Sequence, residues 1–238
     1  MKEIILEKSV DSRLTAHQVH QTMKTITHLS LIALSVLAFS CQPAKEKTLP
    51  EKVADAYGFE NLDKVKTISY TFNVQRDSVT RFSRNWKWHV KDRTVDFSDA
   101  DTSYSYSLDL PKDQLPPADK GFVNDKYWLL FPFQLIWDTG YTFESTENVT
   151  APISGAAATK LTILYNNVDG YTPGDAYDLY LDENHMIIEW VFRRGNGSEG
   201  RPMTWEDVQE FEGIKITLMH KNDAGNPFLW FSDVAVEK

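Results

Sequence analysis

The chain has 238 residues, a formal net charge of −9, 42% hydrophobic and 25% charged residues. This balance is ordinary for a globular protein and excludes wholesale disorder, collagen-like and low-complexity structure. The acidic surplus argues against nucleic acid as a partner, since phosphate binding needs a basic surface. The single cysteine excludes an intramolecular disulfide and a multi-cysteine metal site.

A targeting signal comes first. Leu29 to Phe39 is an uncharged apolar run, far shorter than the ~20 residues that span a bilayer. Met23, Lys24 and His28 precede it, so residues 23–40 have the n-region and h-region of a signal peptide. Leu37-Ala38-Phe39-Ser40-Cys41 resembles a lipobox, whose cysteine is acylated and becomes the mature N-terminus. Phe39 is bulkier than the residue usual at its place, and a plain secreted signal peptide with an incidental cysteine is the alternative. Acylation of Cys41 would also remove an unpaired thiol from an oxidising compartment. Residues 1–22, which contain Glu3, Glu7 and Asp11, are either an over-long start or an extended n-region. Residues 41–50 form a short polar tether. The expected location is the cell envelope, lipid-anchored through Cys41, in the outer membrane and facing the periplasm or the surface.

Residues 51–238 form the expected domain. Val53, Ala54 and Tyr57 fall at helical spacing in Glu51 to Gly58, with Gly58 as C-cap, and Asn61 to Lys66 adds one more turn. From Thr67 the period changes to two: Ile68, Tyr70, Phe72 and Val74 alternate with polar residues, which predicts a half-buried strand. The same alternation marks Trp86–Lys91, Thr94–Phe97 and Ser103–Leu110. Asn124 to Asp138 is apolar on nearly every side and broken by Pro132, which predicts a short helix up to the proline and then a loop-helix plug. Strands resume at Thr159–Tyr165, at Ala176–Leu181, where Tyr177, Leu179 and Leu181 alternate, and at Met186–Arg193, where Ile188, Trp190 and Phe192 share a face. Trp205–Val208 pairs with Ile214–His220 across Glu212-Gly213, and Phe228–Phe231 and Val234–Val236 finish the chain. The predicted fold is mainly β: a single curled antiparallel sheet of about ten strands, a half-open barrel with short helices as lid or plug.

Tyr127-Trp-Leu-Leu-Phe-Pro-Phe-Gln-Leu-Ile-Trp-Asp138, followed by Gly170-Tyr-Thr-Pro-Gly-Asp175, resembles a family of uncharacterised Bacteroidota lipoproteins. Trp205 to Ile216 resembles the late hairpin of LolA/LolB-like, lipoprotein carrier-like proteins, although Thr217 stands where a proline is usual. Over residues 51–238 the resemblance implies a half-open barrel around a helical lid, with an apolar cavity for lipid-like groups. It carries no catalytic residue to this chain.

Other chemistry is thinly represented. Asp169, Asp175, Asp178 and Asp182, with His185, could offer oxygen ligands to a hard cation, but the same residues make ordinary turns and fit no EF-hand spacing. Glu189, Glu206, Asp207 and Glu210 are the carboxylates that could pair across a sugar. No Gly-x-Ser-x-Gly elbow, His-Glu-x-x-His or phosphate-binding Gly-x-x-x-x-Gly-Lys loop occurs. His89 falls on a polar strand phase and His220 on an apolar one, which predicts a surface and a packed histidine. No catalytic residue, metal site or cofactor is therefore assigned. The aromatic phase carries the functional expectation: Tyr70, Phe72, Trp86, Trp88, Tyr104 and Tyr106 occupy inward positions, with Trp128 and Phe131 in the lid. They either fill a core or line a cavity for an acyl chain. The sequence thus points to a monomeric, non-enzymatic binder or carrier of a lipid, an acyl chain or a lipidated partner. A carbohydrate-active or glycan-binding β protein and a structural envelope protein are the alternatives.

Overall fold

A computed structural model describes residues 46–75, 81–168 and 172–238; the signal segment and Cys41 lie outside them, as does Asp169. Lys47–Lys238 is one unit. It opens with helix α1, Leu49–Ala56, which starts inside the expected tether. Thr48 caps it, accepting from the Glu51 N–H while the Glu51 carboxylate accepts the Thr48 N–H at 2.6 Å. Gly58 follows at φ 84°, leading into a single 3₁₀ stretch, Phe59–Lys64.

Four strands then form a meander: β1 (Thr67–Gln75), β2 (Arg81–His89), β3 (Thr94–Ser98) and β4 (Ser103–Ser107). Two helices come next, α2 (Asp119–Leu129) and α3 (Phe131–Trp137). Pro132 ends nothing; it sits in the first turn of α3, where its missing N–H costs no hydrogen bond. A second run of strands follows: β5 (Tyr141–Thr150), β6 (Ala157–Tyr165), β7 (Ala176–Leu181), β8 (Ile187–Arg193) and β9 (Arg201–Thr204). The chain closes with β10 (Glu206–Phe211), β11 (Ile214–Lys221) and β12 (Pro227–Glu237).

The strands form two antiparallel sheets and not the single sheet that the alternation suggests. The larger runs β10-β11-β12-β1-β2-β3-β4 and the smaller β5-β6-β7-β8-β9; neither closes into a barrel. The reason is a corner at Trp205. Only this residue separates β9, which pairs with β8, from β10, which pairs with β11. Its N–H donates to the Ile188 carbonyl at 2.9 Å, and a lone bridge joins Met203 to Asn222 across the bend. A strand that switches sheets in this way lets both sheets wrap one core. In the larger sheet β12 lies between β11 and β1, with Thr67 opposite Glu237 and Val74 opposite Leu229.

Helix α2 is held between the sheets. Phe122 packs on Trp86 and Trp88 of the larger sheet, with ring centroids 5.5 and 6.0 Å apart. Trp128 packs on Trp190 of the smaller sheet at 4.4 Å. A helix apolar on more than one side has to be covered on more than one side. Asp125 fixes its rotation: fully buried, it accepts Arg84 Nε at 2.7 Å, Arg84 Nη2 at 2.6 Å and Trp86 Nε1 at 2.8 Å. Burial raises the Asp125 pKa, and the Arg84 guanidinium works against that rise.

Candidate functional site

The expected ligand residues separate into two groups. Tyr70, Phe72, Trp86 and Tyr106 are buried in the wall of the larger sheet, and Trp88 and Tyr104 are half-buried beside them. Their rings meet other rings: Tyr70 and Phe72 lie 5.8 and 5.7 Å from Phe231, Trp86 lies 4.6 Å from Phe97, and Tyr104 lies 5.3 Å from Phe97 and 6.3 Å from Tyr106. None of these six lines the apolar pocket, because helix α2 and the neighbouring rings occupy the space in front of them. Trp128 does line it. Phe131, fully buried, stands behind it, with its ring 5.1 Å from Trp190 and 5.5 Å from Tyr177.

The pocket, of about 210 Å³, opens between α2 and the smaller sheet. Helix α2 contributes Asn124, Tyr127 and Trp128. The sheet contributes Tyr177 from β7 and two cross-strand pairs, Trp190 opposite Met203 and Phe192 opposite Arg201. Thr172 and Phe228 complete the rim. Cross-strand partners project on the same face, so the register of β8 and β9 sets the order of the floor: an apolar pair inside, then a pair that ends in a guanidinium. A register shift between Tyr180 and Leu181 places Ile187, and not the expected Ile188, fully in the core behind this floor.

Among the described residues Arg201 is the only charged one in the lining. The Tyr177 hydroxyl lies 3.0 Å from the Thr172 hydroxyl, and burial pushes its pKa up to about 12, so it is neutral at physiological pH. From Trp190 of the floor inward, Trp190, Trp205 and His220 stack edge to face, with centroids 5.4 Å and 4.8 Å apart. His220 Nδ1 lies 3.0 Å from the Thr204 carbonyl, which can only accept, so Nδ1 carries the hydrogen and Nε2 is bare. Complete burial lowers the His220 pKa to about 4. His89, by contrast, faces Asp96 at the surface, 3.0 Å away. Both histidines are placed as their strand phases predict.

The candidate acids are engaged elsewhere. Glu189, 2% exposed, accepts the Ile153 and Ser154 N–H groups at 2.7 Å each and pins the turn before β6. Glu206 pairs with Lys221 at 2.6 Å. Asp207 and Glu210 are exposed on β10. Neither Glu189 nor Glu206 lines the pocket, and among the described residues no pair of carboxylates faces across it, as sugar cleavage would need. Asp178 holds Arg193 at 2.7 Å and accepts the Thr162 hydroxyl, Asp182 accepts the Asn184 and Met186 N–H groups within its own turn, and Asp175 accepts the Gly195 N–H. Among the described residues no three His, Cys, Asp or Glu converge as metal ligands, and no helix is long and apolar enough to cross a membrane.

Sequence reasoning passed over the pocket residues of β7 to β9. The signal for Tyr177, Trp190 and Phe192 was present in their alternation. Arg201, Met203 and the loop residue Thr172 gave none, since β9 is four residues long and includes Pro202. The fold and the site together define a class: a mainly β protein of two antiparallel sheets around a helix, with an aromatic pocket at one side. No family model and no curated protein matches the sequence. Solved structures similar in fold include a LolA superfamily protein from Nitrosomonas europaea, at 9% identity over 80% of this chain and 92% of that one, TM-score 0.45. A DUF1329 family protein from Desulfovibrio piger is similar at 10% identity over 80% and 94%, TM-score 0.43.

Proposed function

We propose that the protein is a non-enzymatic binder or carrier of an apolar ligand, an acyl chain or a lipidated partner, held between α2 and the smaller sheet. The observation that supports this is the composition of the pocket: among the described residues, seven of the ten that line it are aromatic or Met, and none is an acid. General acid–base chemistry needs a titratable group within hydrogen-bond reach of the ligand, and among the described residues this lining offers only the neutral phenols of Tyr127 and Tyr177 and a guanidinium. The volume is below the ~300–1,000 Å³ of pockets that enclose drug-sized molecules. It suits a slender section of chain whose remainder lies along the rim. Acylation of Cys41, the reading of the lipobox, would tether this unit beside a membrane, where such ligands are found.

Native mass spectrometry with lipid extraction tests the proposal on residues 45–238, purified without detergent. A co-purifying acyl species, lost in Phe228→Glu while the circular dichroism spectrum is retained, is the expected result. Phe228 is only half-buried, so a carboxylate there can reach water and the fold survives. A folded protein that is empty and inert to added fatty acids and phospholipids overturns the proposal.

A further inference from the structure

The apolar pocket has a neighbour. It adjoins a second recess, of about 400 Å³, which shares Phe192 and Arg201 with it and adds Arg194, Glu199 and Gly200. Arg201 and Arg194 are both exposed, and among the described residues neither forms an ion pair or a side-chain hydrogen bond. Among the described residues Glu199 is the one acid of the recess, exposed and equally without an ion pair.

The backbone that carries these side chains is held firmly. Arg193 Nη1 donates to Asn196 Oδ1 at 2.6 Å and to the Gly197 carbonyl at 3.0 Å, and the Gly195 N–H donates to Asp175 Oδ1 at 2.7 Å. Gly200 lies so close to β8 that a Cβ there would meet Val191 Cγ1 at 2.3 Å. This close approach sets Arg201 directly opposite Phe192. A guanidinium so placed presents a planar fork of donors to anything whose tail fills the pocket, and that fork matches carboxylate and phosphate oxygens.

We infer that the ligand is an anionic amphiphile: its apolar tail lies against Trp190, Phe192 and Met203, and its carboxylate or phosphate head is held by Arg201 and Arg194. This rests on the binding reading above and specifies its ligand. Two cations against one acid leave the recess positive in a chain whose overall charge is −9. An anionic head is therefore attracted here in spite of the protein's net charge.

Three probes with the same tail separate the possibilities: decanol, decanoate and decyl phosphate, each titrated at low salt and followed by tryptophan fluorescence. The expected result is roughly tenfold tighter binding of at least one anion than of decanol, falling as salt screens the exposed arginines. Whichever anion leads identifies the head as carboxylate or phosphate. Arg201→Gln should bring the anion-to-decanol affinity ratio toward one. Arg194→Gln, which lies in a surface turn and alters no strand, should lower it in part. Equal binding of all three probes, with a ratio unmoved by either substitution, overturns the headgroup inference and leaves the pocket reading standing. Failure of all three to bind overturns both.

Discussion

His220 lies fully buried among Trp128, Trp205 and Phe231, with its charge excluded by its surroundings. Its folded-state pKa, about 4, is below its ordinary 6.5. The unfolded chain therefore binds a proton that the folded one refuses, and stability drains away as pH falls from 6.5 towards 4. The shift corresponds to about 3 kcal/mol at full development. Urea denaturation of the wild type and of His220→Phe across this window should show a shallower pH slope in the variant; parallel slopes would mean that the imidazole is not the group being titrated. The neighbouring Arg84–Asp125 pair follows a different logic. Asp125 is fully buried, yet two nitrogens of Arg84 and the indole of Trp86 reach it, so its burial is compensated by charged and polar partners, where that of His220 is met by neutrality and one hydrogen bond to the Thr204 carbonyl.

Among the elements, α1 shows how closely backbone geometry can be specified. Gly58 turns the chain at φ 84°, and a Cβ there would stand 2.1 Å from the Gly213 carbonyl oxygen. Both the conformation and the space exclude a side chain. Gly58→Ala is expected to lower stability by about 2 kcal/mol or more, read as a fall in the urea midpoint with an unchanged slope. Gly58 could be identified in advance from its place after a helical run. The elements that could be read were those with one wet and one dry face: β1, β3, β6 and β7 all lie where alternation predicts. Strand β5 escaped detection because almost every residue from Thr142 to Thr150 is exposed, so no alternation exists to be read. Phe228–Phe231 and Val234–Val236 are one strand, β12, interrupted by Asp233 at φ 53°. The aromatic stripe was legible as buried. Whether it faced a ligand was not, since that depends on where α2 lies, and α2 is positioned by the grip of Arg84 and Trp86, on β2, upon its Asp125.

At the level of the whole molecule, two sheets that do not close leave edges. Strand β5 is ten residues long and pairs on one side only, with β6. Such an edge invites pairing with another chain unless it is guarded. Here Glu144 and Glu147 are exposed along it, and a register shift between Thr146 and Val149, with Asn148 at φ 56°, breaks its regularity. Phe143, 44% exposed, shows what the guard offsets. Replacing both acids, Glu144→Val with Glu147→Val, should give concentration-dependent association on size-exclusion chromatography with light scattering. A variant that elutes as the wild type at every concentration would place the protection in the bulge alone.

The position of β12 also gives the fold a sequence in time. The Thr67 hydroxyl donates to the carboxylate of Glu237, 170 residues further along the chain. Strand β1 is made early, but one of its two neighbours is β12, which is synthesised after every other strand of the two sheets. Pairings over such distances form slowly, because a long loop must close before any contact rewards it. Until residue 227 is available, β1 and β11 each wait with an unsatisfied edge, so the final strand works as a zipper slide, and a chain that stops short of it cannot finish the larger sheet.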